Sequence, residues 1–125
     1  MSARGCVASE ADLQKQIIQY LWFVLRPPAW FTHFPAGGGG RMRGELLKGL
    51  GMKAGVPDLL IVFDGRCYWA ELKSRRGYLS KAQIETHARL AAAGCPVEVV
   101  RSLDDMRALF TGKWSAIPTL ERRVT

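Results

Sequence analysis

The sequence predicts an α/β fold in which a central mixed β-sheet is flanked by helices. Helical patterns open and close the chain, an apolar hairpin occupies its middle, and a helix separates that hairpin from one more strand. Because this helix is a crossover connection, we expect the last strand to run parallel to its neighbour. The length of 125 residues suits one domain, with its core at about residues 9–111.

The helices are predicted from apolar residues at helical spacing, over residues 9–25, 80–93 and about 102–110. Each of the first two begins with a serine that can act as the N-cap. A short helical stretch is also expected over residues 44–50. Residues 112–125 show no clear period, and we expect this tail to be loosely packed.

The strands are predicted over residues 29–34, 58–63, 66–73 and 96–100. The second of these is almost continuously apolar, which is typical of a strand covered on both faces. Asp64-Gly65 lies between the second and third strands and is a strong hairpin signal.

The hairpin turn predicts a register that brings charged side chains together. If Asp64-Gly65 is a two-residue loop, Asp58 lies opposite Glu71, with Cβ atoms about 4.5–5.5 Å apart. Lys73 is two residues beyond Glu71 and therefore points to the same face. A slip of one residue would place Asp58 opposite Leu72 and scatter the group.

Two opposed carboxylates destabilise a sheet unless something offsets their repulsion. Mg²⁺ or Mn²⁺ is the natural candidate, because both ions prefer hard oxygen ligands. In the alternative interpretation, Asp58 ends a loop, while Glu71 and Lys73 form a solvated pair at a strand edge. The joint placement of the three residues in a basic protein favours a functional site.

The charge balance indicates a polyanionic partner. Eighteen Lys and Arg residues against eleven Asp and Glu give a formal net charge of +7 and a pI near 9.8. A small basic domain of this kind often binds nucleic acid, although basicity that serves only solubility is the alternative.

The expected location is the cytoplasm. Cys6, Cys67 and Cys95 are odd in number and widely spaced, which fits a reducing compartment better than a disulfide framework. No apolar run is long enough to cross a bilayer, and the first residues do not resemble a signal peptide.

Pro57-Asp58, followed after the hairpin by Glu71-Leu72-Lys73, resembles the PD-(D/E)xK nuclease signature. The similarity extends from about residue 10 to residue 110. In chain order, Glu10, Gln14 and residues 47–49, 51–60, 71–73, 79–83 and 93–97 resemble the stand-alone VRR-NUC domains of phage and bacterial sequences. This resemblance implies a restriction-endonuclease-like core around the mixed sheet.

The resemblance also implies a role for each residue of the predicted site. Asp58, Glu71 and the backbone carbonyl of Leu72 would bind Mg²⁺ or Mn²⁺. Lys73 would orient or deprotonate the attacking water and stabilise charge in the transition state. Glu10 would complete the acidic cluster from the first helix, directly or through water.

Supporting residues are predicted on the helices. Gln14 lies on one helical stripe with Glu10 and Ile17, directed at the sheet. Gln83 fits the capping-box partner of Ser80, and the resemblance equally implies a place near the active site for it.

Six basic residues are candidate phosphate contacts, and two of them are favoured because they directly follow the catalytic strand. Gly37–Gly40 is expected to form a flexible loop. His33 and His87 have no partner at metal-ligand spacing and are expected to be bystanders. The phosphate candidates are Arg75 and Arg76, which are favoured, and Lys53, Arg41, Arg43 and Lys81.

The aromatic residues give two further expectations. Trp22 and Trp30 are expected in the core or at an interface rather than as platforms for base stacking. Trp69 is expected to share a face with Glu71, where it could support the wall of the site.

These observations and the resemblance lead to the hypothesis of a Mg²⁺- or Mn²⁺-dependent endonuclease, and the resemblance implies branched DNA such as Holliday junctions as its substrate. One active site per subunit suggests a two-fold homodimer, in which two strands are cut together. The alternatives are a non-catalytic nucleic-acid-binding module and an interaction protein whose charge is incidental.

Overall fold

A computed structural model describes residues 9–34 and 49–120 of the chain. The predictions for Gly37–Gly40, Arg41 and Arg43, and for most of the helical stretch at residues 44–50, lie outside these residues. Seven elements follow one another in the described residues: α1 (Glu10–Val24), β1 (Trp30–His33), β2 (Leu59–Phe63), β3 (Arg66–Leu72), α2 (Lys81–Ala92), β4 (Val97–Val100) and α3 (Leu103–Thr111).

The three helices begin at serine N-caps, as their sequences favour. The Ser9 side chain accepts a hydrogen bond from the Asp12 backbone N–H at 3.0 Å. Ser80 and Gln83 form a reciprocal capping box at the start of α2. Ser102 caps α3 in the same way as Ser9 caps α1. Each cap satisfies N–H groups that have no partner inside the helix.

The four strands form one mixed sheet in the order β1-β2-β3-β4. The pairs β1–β2 and β2–β3 are antiparallel, whereas β3 and β4 are parallel, as the helical crossover between them predicts. The predicted α/β class with a mixed sheet and flanking helices is therefore confirmed. No helix within the two described ranges is long and apolar enough to span a membrane.

The predicted hairpin register is also confirmed. Asp64 and Gly65 both have positive φ, 51° and 75°, as a two-residue type I′ turn requires. Phe63 pairs with Arg66, and Leu59 pairs with Ala70. The residues that precede and follow these pairs, Asp58 and Glu71, are therefore brought opposite each other.

One face of the sheet packs against α1 and α3. Side chains that alternate along β2 and β3 point to this face, as the two-residue period of a strand dictates. They meet the apolar stripe of α1 and the inner side of α3 in one continuous cluster. The buried members of the cluster are Leu13, Ile17, Leu21, Leu59, Ile61, Ala70, Leu72, Val100, Met106, Phe110, Trp114 and Ile117.

The segment after Gly112 packs more closely than the sequence predicts, as far as Leu120. Trp114 and Ile117 are buried in the core, only 4% and 0% exposed. Thr119 is also buried and forms a β-bridge with Leu25. The expectation of a loosely packed tail is therefore wrong for this segment, because its apolar side chains fill space beside α3 although they follow no helical or strand period.

Trp22 and Trp30 do not lie in the core, contrary to one of the two expectations for them. Their side chains are 76% and 59% exposed. Trp22 makes an edge contact with Phe31, with ring centroids 5.2 Å apart. These tryptophans therefore add little to the buried core, and their expected place at an interface stays a prediction.

Candidate active site

The four charged residues singled out in the sequence come from three parts of the fold and meet at one edge of the sheet. Glu10 is the first residue of α1. Asp58 directly precedes β2, Glu71 lies near the end of β3, and Lys73 follows that strand. Because β2 and β3 are antiparallel, the start of β2 and the end of β3 share this edge.

Asp58 and Glu71 form a buried carboxyl pair. Their side chains are 8% and 1% exposed. Asp58 Oδ2 accepts a hydrogen bond from the Leu72 backbone N–H at 2.8 Å, which fixes the carboxylate against the end of β3. The carboxyl group of Asp58 lies close enough to that of Glu71 to raise the pKa of Glu71.

The environment of Glu71 disfavours its charged form. Burial is the largest cause, followed by the hydrogen bond to Asp58 and the charge of Asp58, and together they raise the pKa of Glu71 to about 9. Lys73 lowers the pKa of Glu71, but by less than these effects raise it, and Glu10 raises it slightly further. Without a cation, Glu71 therefore keeps its proton at neutral pH.

Two side chains of α2 hold the two oxygens of Glu71. Gln83 Nε2 donates to Glu71 Oε2 at 3.2 Å, and His87 Nε2 forms a hydrogen bond with Glu71 Oε1 at 2.9 Å. Gln83 Oε1 accepts from the Ser80 backbone N–H at 2.8 Å, which directs the amide nitrogen towards Glu71. Gln83 therefore caps the helix and also contacts Glu71 with the same side chain. The sequence alone did not decide between these two roles.

His87 is not a bystander, contrary to the sequence-based expectation. It lies four residues after Gln83 and so occupies the same face of α2, where it reaches Glu71. Burial lowers the pKa of His87, which keeps its imidazole neutral at neutral pH. The helical spacing of His87 from Gln83, rather than any metal-ligand spacing, was the sequence feature that could have indicated its place beside the site.

Gln14 and His33 pair with each other instead of joining the carboxyl cluster. Gln14 Nε2 and His33 Nε2 are joined by a hydrogen bond of 2.6 Å, which links α1 to β1. His33 therefore has a structural partner, so the expectation that it is a bystander does not hold either. Gln14 therefore links α1 to β1, and its supporting role at the site stays a prediction.

Lys73 forms an ion pair with Glu10, which lies on the exposed side of the cluster. Lys73 Nζ lies 3.9 Å from Glu10 Oε2, and the side chains are 11% and 46% exposed. Lys73 is therefore largely enclosed, whereas Glu10 faces solvent. Glu10 lies close enough for its charge to act on Glu71, but its ion-pair partner is Lys73.

The loop before Asp58 packs against the first turns of α2. Gly55 has a φ of +77°, and a Cβ at this position would lie 2.2 Å from the Ala82 carbonyl oxygen. The Thr86 hydroxyl donates to the Ala54 carbonyl at 2.7 Å. The loop that presents Asp58 and the helix that holds Glu71 are thereby joined, and only glycine fits at their contact.

Trp69 lies on the same face of the sheet as Glu71, as the alternation along β3 predicts. Its ring stacks on Phe34, with centroids 5.8 Å apart. Trp69 therefore contributes to the surface beside the carboxyl pair.

Four of the six candidate phosphate contacts lie in the described residues. Arg75 and Arg76 are exposed in the turn that directly follows Lys73. Lys53 and Lys81 are also exposed, in the loop before Gly55 and at the start of α2.

The donors at this edge fit a hard divalent cation. Within residues 9–34 and 49–120, no three His, Cys, Asp or Glu side chains are already arranged around a common metal position. Asp58 and Glu71 nevertheless offer two opposed carboxyl groups, and burial and the charge of Asp58 raise the pKa of Glu71. A divalent cation could neutralise both groups.

The fold and site together define an α/β protein with an acidic pair and a lysine at one edge of a mixed sheet. No family model matches the sequence, and no curated protein matches it. Among solved structures, it is similar to a "VRR_NUC domain protein" at a TM-score of 0.63 and 22% identity, over 84% of this chain and 87% of that one. It is also similar to a "VRR_NUC domain" at a TM-score of 0.57 and 19% identity, over 84% of this chain and 98% of that one. The chain therefore has the fold of VRR_NUC domain proteins, as the sequence resemblance predicts.

Proposed function

We propose that this chain is a metal-dependent nuclease that hydrolyses phosphodiester bonds of DNA. The observation that carries the proposal is the buried Asp58–Glu71 pair beside the largely enclosed Lys73. Burial of two opposed carboxyl groups costs free energy, so a pair with no chemical use would be an unfavourable feature of a small fold. The names of the structural neighbours support the same class of function.

The carboxylates of Asp58 and Glu71, with the Leu72 backbone carbonyl, are the proposed ligands of Mg²⁺ or Mn²⁺. Glu10 completes the acidic cluster through water, in keeping with its exposed position. When bound, such an ion polarises the phosphoryl oxygen and makes a bound water more acidic.

The chain's own residues prepare this site. With an ion in place the carboxyl group of Glu71 would be ionised, and Gln83 and His87 would hold its two oxygens in position through their hydrogen bonds. Lys73 orients or deprotonates the attacking water and offsets negative charge that develops on the phosphate. The low exposure of Lys73 strengthens this effect, because surrounding solvent screens its charge less.

The basic surface supports DNA as the substrate. The net charge of +7 attracts the phosphate backbone, and Arg75 and Arg76 project from the turn next to Lys73. Lys53, Lys81, Arg41 and Arg43 are the further proposed contacts. We propose that the substrate is branched DNA such as a Holliday junction, bound by a homodimer that pairs two sites.

A cleavage assay tests the proposal on single-stranded, linear duplex, flap and four-way junction DNA, each with Mg²⁺, Mn²⁺ or EDTA. We expect the four-way junction to be cut with either metal and to stay intact in EDTA. Glu71→Gln and Lys73→Ala should abolish cutting, while Lys73→Ala still binds DNA. Glu85→Gln is the matched control, because Glu85 is an exposed carboxylate of α2.

Two results would contradict the proposal. If the wild-type protein binds the junction but cuts none of the substrates with either metal, the chain is a binding module. If Glu71→Gln cuts as fast as Glu85→Gln, the Asp58–Glu71 pair has no part in the chemistry.

A further inference from the structure

The turn at residues 74–77, which directly follows Lys73, is held by an arginine that directly follows β4. Inside the turn, the Gly77 backbone N–H donates to the Ser74 carbonyl at 3.0 Å. Arg101 Nη1 donates to the carbonyls of Ser74 and Gly77, each at 2.8 Å, and lies 3.4 Å from that of Arg75. One guanidinium nitrogen therefore joins both ends of the turn.

The parallel pairing of β3 and β4 places Arg101 next to Lys73. Leu72 lies opposite Val100, and the Lys73 backbone N–H donates to the Val100 carbonyl at 3.0 Å. Arg101 directly follows the end of β4, just as Lys73 directly follows the end of β3. Its backbone N–H donates to Asp105 Oδ2 at 2.9 Å, so the start of α3 also fixes its position.

The held turn packs against the candidate active site. A Cβ built on Gly77 would lie 3.4 Å from Glu10 Oε2 and 3.5 Å from Lys73 Cδ. The same position would be 3.0 Å from Ser74 Oγ. The Gly77 backbone therefore lies against both members of the Lys73–Glu10 ion pair, and movement of the turn would remove a wall from beside them.

We propose that Arg101 is a positioning residue for the nuclease reaction, which acts by holding the turn at residues 74–77 against Lys73 and Glu10. This inference rests on the proposed function. Arg101 Nη1 is directed to backbone carbonyls, whereas Arg75 and Arg76 are exposed on the same turn. In this proposal Arg101 shapes the turn, whereas Arg75 and Arg76 remain the proposed phosphate contacts.

The kinetic test compares Arg101→Ala and Arg101→Lys with Arg66→Ala, which removes an exposed arginine at the opposite end of β3. Arg101→Ala should lower kcat about tenfold or more, because small displacements of catalytic groups are costly, and should change KM by less than about threefold. Arg101→Lys should recover part of the lost kcat, because an ammonium group can also donate to the turn carbonyls. Arg66→Ala should match the wild type.

Hydrogen exchange gives a readout that does not depend on cleavage. In Arg101→Ala, the Gly77 amide should exchange about tenfold faster or more, since the turn that protects it opens more often. The same amide should be unchanged in Arg66→Ala. If the wild type cuts no DNA, the proposed function fails, while this experiment still tests whether Arg101 holds the turn.

Three outcomes would overturn the inference. The first is unchanged Gly77 exchange in Arg101→Ala. The second is a wild-type kcat in that variant together with weaker DNA binding, whose salt dependence falls by about one phosphate contact. Arg101 would then be a direct phosphate ligand. The third is a loss of kcat that Arg101→Lys does not restore at all.

Discussion

His87 Nε2 lies 2.9 Å from Glu71 Oε1, in a hydrogen bond that joins the middle of α2 to the buried acid of β3. Gln83, one helical turn earlier, contacts the other oxygen of the same carboxyl group. Both oxygens of Glu71 are therefore held from one helix face, which limits the directions in which the carboxylate can present itself to a cation.

The first prediction concerns this pair of contacts. His87→Ala and Gln83→Ala should each lower the rate of metal-dependent cleavage about 10–100-fold, the usual cost of losing an outer partner of a metal ligand. Steady-state kinetics at saturating and limiting Mn²⁺ would measure this loss. Glu85→Ala, on an exposed position of α2, is the control. Wild-type rates in both test variants would mean that the contacts only pack α2 on the sheet.

The second prediction concerns pH and stability in the absence of divalent cations. The folded chain raises the pKa of Glu71 from 4.5 to about 9, so between these values the folded state holds a proton that the unfolded state has lost. Stability from this group is thus complete below pH 4.5 and is lost as the pH rises through about 9. Urea unfolding in EDTA should show a smaller decline over this range for Glu71→Gln than for the wild type; an equal decline would contradict the assignment.

The third prediction concerns the loop that presents Asp58. Gly55→Ala adds a methyl group where the Ala82 carbonyl oxygen is 2.2 Å away, and it also forces alanine into a positive φ. Gly94→Ala is a matched control, because Gly94 has a φ of +93° but no atom within 4 Å of the added Cβ. The control should cost about 1–2 kcal/mol of unfolding free energy, the cost of the left-handed conformation.

Gly55→Ala should cost clearly more than Gly94→Ala and should also impair cleavage, because α2 and the Asp58 loop must separate to admit the methyl group. Thermal unfolding and the junction assay would measure the two effects. Equal destabilisation by the two substitutions would show that the loop and α2 can move apart at little cost in free energy.

The fourth prediction tests the packing of residues 112–120 with two tryptophans. Trp114→Ala should destabilise the protein by about 3–5 kcal/mol, since it removes a large side chain from the core. Trp22→Ala should cost less than about 1 kcal/mol, because Trp22 is 76% exposed. Chemical unfolding would compare the two variants, and a similar cost for both would contradict the described core.

The strand register was predictable because one short turn determines it. A two-residue turn at Asp64-Gly65 permits few alternatives, and an apolar strand on one side makes a slip costly. The opposition of Asp58 and Glu71 followed from that register alone. The parallel placement of β4 likewise followed from a single helical crossover.

The other site residues depend on contacts between elements, and a local period such as the spacing of His87 from Gln83 shows a shared helix face but not what that face contacts. His87 and Arg101 meet Glu71 and the turn at residues 74–77 only after α2 and β4 have packed on the sheet. Trp114 joins the core from a segment with no regular spacing, so its burial had no pattern in the sequence. In each case tertiary packing, rather than local propensity, decides the role.

The most direct test of the central claim is a calorimetric titration of Mn²⁺ into the wild-type protein, Asp58→Asn, Glu71→Gln and Glu85→Gln, without DNA. The claim is that Asp58 and Glu71 together bind the catalytic cation. We predict saturable binding to the wild type and to Glu85→Gln, and a loss of affinity of about tenfold or more when either Asp58 or Glu71 is neutralised. Equal Mn²⁺ affinity in all four proteins, or no binding to the wild type, would contradict the claim.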